Sequence, residues 1–446
     1  MWPASWRRET ALICASWIIP ILPPKRLLTG GAVAVRDGKI VAVCHQEEAK
    51  RRFQAQETVN LPECALLPGL INAHTHAAMA LFRGIADDLP LMEWLNEYIF
   101  PLEMRWVDED FVRTGTRLAL AEMIRGGITC FNDMYFYPDV TAQLVREIGM
   151  RAALGLIFVD FPTPWARSPE EYLAKNLALY RTLPPNDQIV WMLAPHAPYS
   201  VSDAMFRQIA ELADEYDLKV HLHLHETQAE IAESLDRYGQ RPLERIERLG
   251  LLNARLVAVH MVHLEPYEIE KVVAAGCGVV HCPQSNLKLA SGFCPAAQLE
   301  ATGVPLALGT DGPASNNALD MFAEMKSAAL LAKSLSRDPK ALPAEMALAM
   351  ATIEGAKALG LESKIGSLEP GKLADLIAVD LSWPETQPVY DPVSQLVYAA
   401  GRHQVREVWV GGRRLLANGQ LICLDWEMLR AEVAIWRDRL ASTLET

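Results

Sequence analysis

The amino-acid sequence predicts an α/β fold: a (β/α)8 TIM barrel with a small β-sandwich domain built from both chain ends. Three observations predict it. Eight short apolar runs alternate with longer amphipathic stretches, polar residues stand at the ends of most runs, and β-rich segments with tight-turn pairs flank the series. Short apolar runs between helical stretches are typical of parallel strands buried on both faces. The 446 residues suffice for an elaborated barrel and one smaller domain.

Segments near the two chain ends predict the small domain. Asp37-Gly38 separates two β-rich runs and can supply the positive φ angles that a two-residue hairpin turn requires. The runs 374–380 and 405–416 have the same character, and the second contains a Gly411-Gly412 turn. The predicted limits are 1–66 for the N-terminal part of the sandwich, 67–372 for the barrel, and 373–446 for the C-terminal part of the sandwich with a terminal helix.

The apolar runs predict the barrel strands, and no GxGxxG fingerprint favours an open, doubly wound sheet instead. The carboxyl ends of barrel strands converge on one mouth, where active sites are built. Histidine and acidic residues lie at these ends, which predicts a polar site there. The runs are 65–76, 127–134, 151–160, 189–197, 219–226, 255–263, 277–286 and 304–312. The polar residues are His74, His76, Asp133, Asp160, His196, His223, Glu226, His260, His263, His281 and Asp311.

Charge and cysteine content exclude several classes of protein. The net charge of −13, without a long basic run, argues against binding to a nucleic-acid polymer. The eight cysteines lack CxxC spacing, so free thiols in a reducing cytoplasm are expected. Arg7 and Arg8 before the apolar segment 11–22 imitate a signal peptide, but Pro20 interrupts that segment and no small-x-small cleavage site follows. We therefore expect a buried strand there and no membrane association.

His74-Thr75-His76 places two imidazoles on one face of a strand end, because side chains in a strand repeat with a period of two. Both imidazoles can then reach one metal ion. Taken alone, this pair would favour the other interpretation, two hydrogen-bonded polar histidines without a metal.

The segment HLHLHE adds a third possible ligand. His221, His223 and His225 share a strand face, and Glu226 follows at the strand end. Residues two apart in a strand are displaced by roughly 6.6 Å, so we assign the metal to His223 and structural or supporting roles to the other two histidines. Asp311 in GTDG supplies a carboxylate, and three histidines with one aspartate leave a place for water, as in a catalytic site. Zinc is preferred, although iron or manganese would also be accepted.

Five segments together resemble the amidohydrolase superfamily in order and spacing, and most of all its 5-methylthioadenosine/S-adenosylhomocysteine deaminases. They are PGLINAHTH, HLHLHET, AVHMVHL, VVHCPQSNLKLASG and LGTDGPASNN. The resemblance covers nearly the whole chain, including GSLEPGKLADLIAVD, which in such enzymes leads from the barrel back to the sheet domain. The combination is far more specific than any one segment.

The resemblance implies a role for each matching residue. In AVHMVHL the first histidine, His260, matches the catalytic position, which leaves His263 as a helix-entry or packing residue. Binuclear relatives carry a bridging lysine on the fourth strand, but residues 176–218 contain no lysine, so one Zn2+ per chain is predicted. The implied metal ligands are His74, His76, His223 and Asp311; the implied catalytic residues are Glu226, His260 and Asp311; the implied substrate-binding residues are Glu103, His196, Glu226 and Asp311. Without the resemblance, Glu103 would be interpreted as a helix-surface carboxylate.

The implied reaction is hydrolytic deamination of the adenine ring of 5′-methylthioadenosine and of related adenosines, which yields the inosine analogue and ammonia. Asp311 is expected to take a proton from the attacking water and pass it to the leaving amine, and Glu226 to protonate N1 of the ring. His260 is expected to orient the attacking oxygen.

Other functions stay open on the sequence. The same fold and metal site could act on a guanine, 8-oxoguanine or triazine-type ring, or hydrolyse an amide. A non-catalytic relative is disfavoured because no implied ligand or acid is missing. The cytidine-type zinc deaminases are excluded, because neither their HxE nor their PCxxC pair occurs in usable form. Glu103 and His196, which suit a ribose, favour the adenosine-type substrate.

The sequence also predicts a substrate preference. Residues 152–166 contain no arginine that could bind the carboxylate of S-adenosylhomocysteine, although Arg167 follows closely and Arg151 precedes at the far end of the strand. We therefore expect methylthioadenosine to be preferred over adenosine, with S-adenosylhomocysteine the poorest substrate. The predicted apolar wall consists of Trp94, Leu156, Phe158, Phe161 and Trp165. The expected partner is a small-molecule nucleoside, and the resemblance implies that a homo-oligomer can form.

Overall fold

The computed structural model describes residues 10–444. The strands are β1 Thr10–Ile18, β2 Leu28–Arg36, β3 Lys39–His45, β4 Ala55–Pro68, β5 Leu70–Thr75, β6 Ile128–Asp133, β7 Arg151–Phe158, β8 Ile189–Pro195, β9 Lys219–Leu224, β10 Leu256–His260, β11 Gly278–His281, β12 Leu306–Leu308, β13 Leu376–Asp380, β14 Val405–Val410, β15 Arg413–Ala417 and β16 Gln420–Leu421. They form two eight-stranded sheets.

Helices fill the intervals between the barrel strands, and others follow the barrel or accompany the small sheet. The α-helices of the described residues are α1 Gln46–Arg52, α2 Leu91–Glu93, α3 Phe100–Trp106, α4 Glu109–Arg125, α5 Pro138–Ile148, α6 Pro169–Thr182, α7 Asp203–Tyr216, α8 Gln228–Tyr238, α9 Pro242–Arg248, α10 Pro266–Ala275, α11 Pro283–Lys288, α12 Ala296–Ala301, α13 Met321–Ser336, α14 Ala344–Met350, α15 Ile353–Leu359, α16 Pro392–Tyr398 and α17 Trp426–Leu444. A 3-10 helix, Ala77–Phe82, and a π-helix, Trp94–Ile99, lie between β5 and α3.

Strands β5 to β12 form the barrel, in chain order and with every pairing parallel. The barrel closes where the backbone N–H of Asp311, just after β12, donates to the carbonyl oxygen of His74 in β5 at 3.1 Å. The eight predicted runs each contain one of these strands, so the predicted barrel is confirmed. Its strands are buried on both faces, as continuous apolar runs require.

Both chain ends contribute to the second sheet, whose strand order is β16-β15-β14-β13-β4-β1-β2-β3. Its eight strands form one continuous hydrogen-bonded sheet, because β13 pairs antiparallel with β4. Both predicted turns are present: Asp37 and Gly38 have φ angles of 52° and 75°, and Gly411 and Gly412 have φ angles of 55° and 76°. The small sheet domain built from both ends is thus confirmed.

The junction between the two domains is short. Strand β4 of the small sheet ends at Pro68 and barrel strand β5 begins at Leu70. The chain returns to the small sheet at β13 and ends the described region with α17, which packs Trp436 edge-on against Phe111 of α4 at 5.3 Å. The domain limits given above stay a prediction.

The apolar segment 11–22 contains buried strand β1, as expected, while Arg7 and Arg8 lie outside the described residues. Between residues 10 and 444, no helix is both long and apolar enough to cross a membrane. All eight cysteines carry free thiols, and seven of them are buried.

Candidate active site

Four predicted site residues meet at the carboxyl ends of the barrel strands. His74 lies in β5, His223 in β9 and His260 at the end of β10, and Asp311 follows β12. Their ligand atoms all lie within 4.8 Å of one another, and all four residues are buried. The convergence follows from the closed barrel, which brings the first and last strands side by side.

The spacing of these atoms fits a metal ion. Nε2 of His74 lies 3.2 Å from Nε2 of His223 and 3.2 Å from Oδ1 of Asp311, and Nε2 of His76 lies 3.2 Å from the same oxygen. Adjacent ligands of a tetrahedral ion with bonds of roughly 2.0 Å are about 3.3 Å apart. The donor set of imidazoles and one carboxylate is the kind that zinc prefers.

Hydrogen bonds on the far ring nitrogens orient the imidazoles. Nδ1 of His223 donates to the carbonyl oxygen of His196 at 2.6 Å, and Nδ1 of His76 donates to that of Met134 at 2.5 Å. In each neutral ring this leaves the lone pair on Nε2, the nitrogen that points into the cluster. The rings are therefore held in the tautomer that a metal ligand needs.

Asp311 is the anionic centre of the cluster. Its Oδ2 accepts hydrogen bonds from the hydroxyls of Ser285 (2.6 Å) and Ser315 (2.8 Å). Burial alone would raise its pKa, but hydrogen bonds and charge attraction from His74 and His76 hold the pKa well below its ordinary value. Burial would lower the pKa of His76, and Asp311 instead raises it to about 9. A cation bound at the cluster would displace that proton.

Glu226 stands next to His260 at the edge of the cluster. Oε2 of Glu226 lies 3.8 Å from Nε2 of His260, and Nδ1 of His260 donates to Oδ1 of Asn286 at 2.8 Å. Burial raises the pKa of Glu226, although the nearby His260 opposes the shift. A buried carboxyl with a raised pKa holds its proton more readily than an exposed one, which favours a role as a general acid.

The cluster opens into a cavity at the mouth of the barrel. Glu103 of α3 and His196, just after β8, both line it, together with Glu226, His260 and Asp311. Burial raises the pKa of Glu103 to about 7, while the nearby phenol of Tyr135 lowers it. Among the residues that the structure describes, no lysine or arginine lines this cavity.

The Amidohydrolase family matches residues 65–415. The chain belongs to the amidohydrolase family. A 5-methylthioadenosine/S-adenosylhomocysteine deaminase of Teredinibacter turnerae is 48% identical over 428 residues, which are 96% of this chain and 97% of that protein.

Solved structures are similar to this amidohydrolase over nearly their full length. An adenosine deaminase from Xanthomonas campestris with bound zinc is 51% identical, with a TM-score of 0.96 over 97% of this chain and 98% of that one. An atrazine chlorohydrolase from Arthrobacter aurescens complexed with zinc is 24% identical, with a TM-score of 0.89 over 96% of this chain and 100% of that one. The second likeness supports the fold alone.

The walls of the amidohydrolase cavity differ in part from the predicted ones. Trp94 and Phe161 line the cavity as predicted, but Leu156, Phe158 and Trp165 do not. Successive side chains of a strand point to opposite faces. Along β7 and the residue after it, the side chains of residues 157 and 159 line the cavity, whereas those of 156 and 158 do not. Trp165 packs against Tyr137 and under Lys175, away from the mouth.

Three further histidines of the amidohydrolase lie near the site without lining the cavity. Nε2 of His221 lies 2.9 Å from Nδ1 of His74, so His221 can hydrogen-bond to the imidazole of one cluster residue. His225 donates from Nδ1 to the carbonyl of His263 at 2.9 Å and accepts from the backbone N–H of Leu243 at 2.9 Å. His263 donates to the carbonyl of Ser291 at 2.7 Å, which agrees with a packing role.

Sequence reasoning missed three polar residues that hold the cluster of this amidohydrolase. Ser285 and Ser315 donate to Asp311, and Asn286 accepts from His260. All three lie in the segments VVHCPQSNLKLASG and LGTDGPASNN, which were recognised as motifs. The signal was therefore present, but the partner of each side chain depends on tertiary contacts.

Proposed function

We propose that the chain is a zinc-dependent hydrolytic deaminase of adenosines, with 5′-methylthioadenosine as its preferred substrate. The observation that carries the proposal is the convergence of three histidines and an aspartate next to Glu226, in a cavity whose other carboxyl is the buried Glu103. The names of the relatives from T. turnerae and X. campestris support the same activity.

In this proposal, His74, His76, His223 and Asp311 hold one Zn2+, and His260 stands beside them. When bound, the zinc lowers the pKa of a water molecule to about 7 and so supplies a nucleophile at neutral pH. Iron or manganese would suit the same ligands.

The protein's own residues then move the protons. Asp311 accepts the proton of the attacking water and later delivers it to the departing amine. Glu226 brings a proton to N1 of the adenine, which makes C6 more electrophilic. His260, fixed by Asn286, uses its free Nε2 to orient the attacking oxygen. Each of these three side chains lines the cavity, so each can reach a bound purine.

Substrate choice follows from the charges around the cavity. Glu103 can accept hydrogen bonds from the 2′- and 3′-hydroxyls of a ribose, and His196, which lines the same cavity, can bond to the nucleoside. No cation lines the described cavity, so the carboxylate of S-adenosylhomocysteine would be buried there without a partner, whereas a methylthio group would meet apolar side chains. Arg167 lies on the surface and is absent from the described lining, and Arg151 is engaged by Asp375 elsewhere.

The test is steady-state kinetics of ammonia release from the zinc-loaded protein. We expect kcat/KM to fall in the order methylthioadenosine, adenosine, S-adenosylhomocysteine. Guanine, 8-oxoguanine and atrazine serve as probes of the alternative function, and the highest kcat/KM on one of them would refute the proposal. A kcat/KM for S-adenosylhomocysteine equal to that for methylthioadenosine would refute the preference alone.

A cytoplasmic location and a homo-oligomeric state belong to the same proposal. Support for the location comes from the free cysteines, which fit a reducing compartment. Sedimentation of the purified protein would measure the oligomeric state.

A further inference from the structure

Glu230 is a buried carboxylate that the proposed mechanism does not use. It lies in the first turn of α8, and only 4% of its surface is exposed. Its Oε1 accepts a hydrogen bond from the backbone N–H of His225 at 3.0 Å, and its Oε2 accepts one from that of Glu226 at 2.7 Å. One carboxylate thus holds both residues that connect strand β9 to the cap of helix α8.

A neighbouring helix has a glutamate at the equivalent position. Glu244 is the third residue of α9 and accepts from the backbone N–H of Arg241, the residue that caps its own helix, at 3.0 Å. Such a bond stabilises a helix terminus. Glu230 is likewise the third residue of α8, whose cap is Thr227, but it reaches past the cap to the end of the strand that carries the metal-site residues. Its position therefore serves the site as well as the helix.

The turn after β9 requires this support. His225 has a φ of 56°, in the left-handed region that non-glycine residues seldom adopt. Such a backbone persists only where its surroundings fix it, and it is common near active sites. The ring of His225 is fixed by its bonds to His263 and Leu243, and its backbone N–H is fixed by Glu230. The turn sets the direction in which the next side chain, Glu226, leaves the strand.

We propose that Glu230 is a positioning residue for the reaction. By holding the backbone N–H groups of His225 and Glu226, it fixes the Glu226 carboxyl at the cavity wall beside His260. The inference rests on the proposed function, because Glu230 acts through the proton that Glu226 carries. If one acceptor oxygen is lost, one of the two N–H groups loses its partner and the turn no longer fixes the Glu226 carboxyl, which slows proton transfer but leaves the metal ligands and Glu103 in place.

The test compares Glu230→Gln, Glu226→Gln and the double variant in the zinc-loaded full chain, with methylthioadenosine as substrate. Glutamine keeps the shape of the side chain but replaces one acceptor oxygen with an amide nitrogen that cannot accept from N–H. We expect kcat of Glu230→Gln to fall about 10- to 100-fold, with zinc content unchanged and KM within about twofold of the parent value. Glu244→Gln, which removes the equivalent cap bond on α9, should keep the parent kcat.

The double variant separates positioning from general stabilisation. If Glu230 acts through Glu226, the double variant should be within about twofold of Glu226→Gln, because effects that operate through one group do not add. Ammonia release at high enzyme concentration measures these slow rates. If the fold-losses in kcat of the two single variants multiply in the double variant, the positioning role is overturned. Loss of zinc from Glu230→Gln would also overturn it.

Two further outcomes separate a failure of this inference from a failure of the proposed role of Glu226. Parent kcat in Glu230→Gln, combined with an inactive Glu226→Gln, would overturn the inference and leave the proposed function intact. Full activity of Glu226→Gln would instead overturn the proposed role of Glu226. If Glu230→Gln does not fold, as judged by near-ultraviolet circular dichroism, Glu230→Asp takes its place, because its shorter side chain cannot reach both N–H groups.

Discussion

A second imidazole contacts that of His74: Nε2 of His221 lies 2.9 Å from Nδ1 of His74. When Nε2 of His74 binds a metal, Nδ1 must donate to His221, and such outer contacts orient the ligand. We expect His221→Ala to weaken zinc binding by about 10- to 100-fold, measured by chelator competition on the metal-free protein. His225→Ala is the matched control, since it removes an equally buried imidazole of the same segment that does not contact His74. Equal zinc affinities in the two variants would contradict this prediction.

Glu103 predicts a pH dependence of substrate binding. Burial raises its pKa to about 7, and both carboxyl oxygens are free to accept ribose hydroxyls only when the group is ionised. The ionised fraction rises from about a tenth at pH 6 to about nine tenths at pH 8, so this group should raise kcat/KM about tenfold over that interval. Glu103→Gln lacks this titration. The ratio of parent to variant kcat/KM should therefore increase with pH, and a constant ratio would contradict the role of Glu103.

The sequence predicted the positions of the polar site residues better than it predicted which apolar side chains line the cavity. His74, His223 and Asp311 come together because strand ends converge in a barrel. In β7, however, every residue is buried, so apolarity does not distinguish the face toward the cavity from the face toward the helices. The expectation for Leu156 and Phe158 was wrong for this reason. The partners of Ser285 could not be predicted because they depend on contacts between distant loops.

At the scale of elements, the two predicted turns of the small sheet contact each other. A Cβ added at Gly38 would lie 2.7 Å from the carbonyl oxygen of Gly411, and Gly38 has a φ of 75°. Gly38→Ala therefore combines an unfavourable backbone conformation with a steric clash, and should reduce the free energy of unfolding by about 2–4 kcal/mol. Gly30→Ala is the control, with a φ of 63° and no atom within 4 Å of the added Cβ, and should cost only about 1 kcal/mol. Urea unfolding measures both, and equal losses would exclude the clash.

The contact between these turns illustrates what sequence patterns leave undetermined. Each turn is a local property of two residues with positive φ, so the sequence predicts it directly. Their meeting depends instead on the order of strands in the sheet, where β13 joins the C-terminal strands to β4. No short segment of the sequence indicates how strands that are far apart in the chain are ordered in the sheet.

At the scale of the whole molecule, a buried ion pair joins the barrel to the small sheet. Arg151, the first residue of barrel strand β7, donates from Nε to Asp375 at 2.7 Å, and from its terminal nitrogen to the other carboxylate oxygen at 3.1 Å. Asp375 also accepts from the backbone N–H of Gly411 at 2.7 Å. Both side chains are almost wholly buried, with exposures of 4% and 2%. The pair lies at the amino end of β7, opposite the catalytic mouth.

Removing one partner should therefore destabilise the fold without changing the chemistry. Asp375→Asn leaves the guanidinium of Arg151 buried without its countercharge, which should lower the free energy of unfolding by about 3–5 kcal/mol. The exposed pair Lys364–Asp187 is the control: solvent screens it, so Asp187→Asn should cost less than about 1 kcal/mol. Below the unfolding transition, the kcat/KM of Asp375→Asn for methylthioadenosine should equal that of the parent, because the pair does not line the active-site cavity. Equal losses in the free energy of unfolding in the two variants would mean that the pair does not hold the domains together. A loss of kcat/KM in folded Asp375→Asn would mean that the junction shapes the mouth of the barrel.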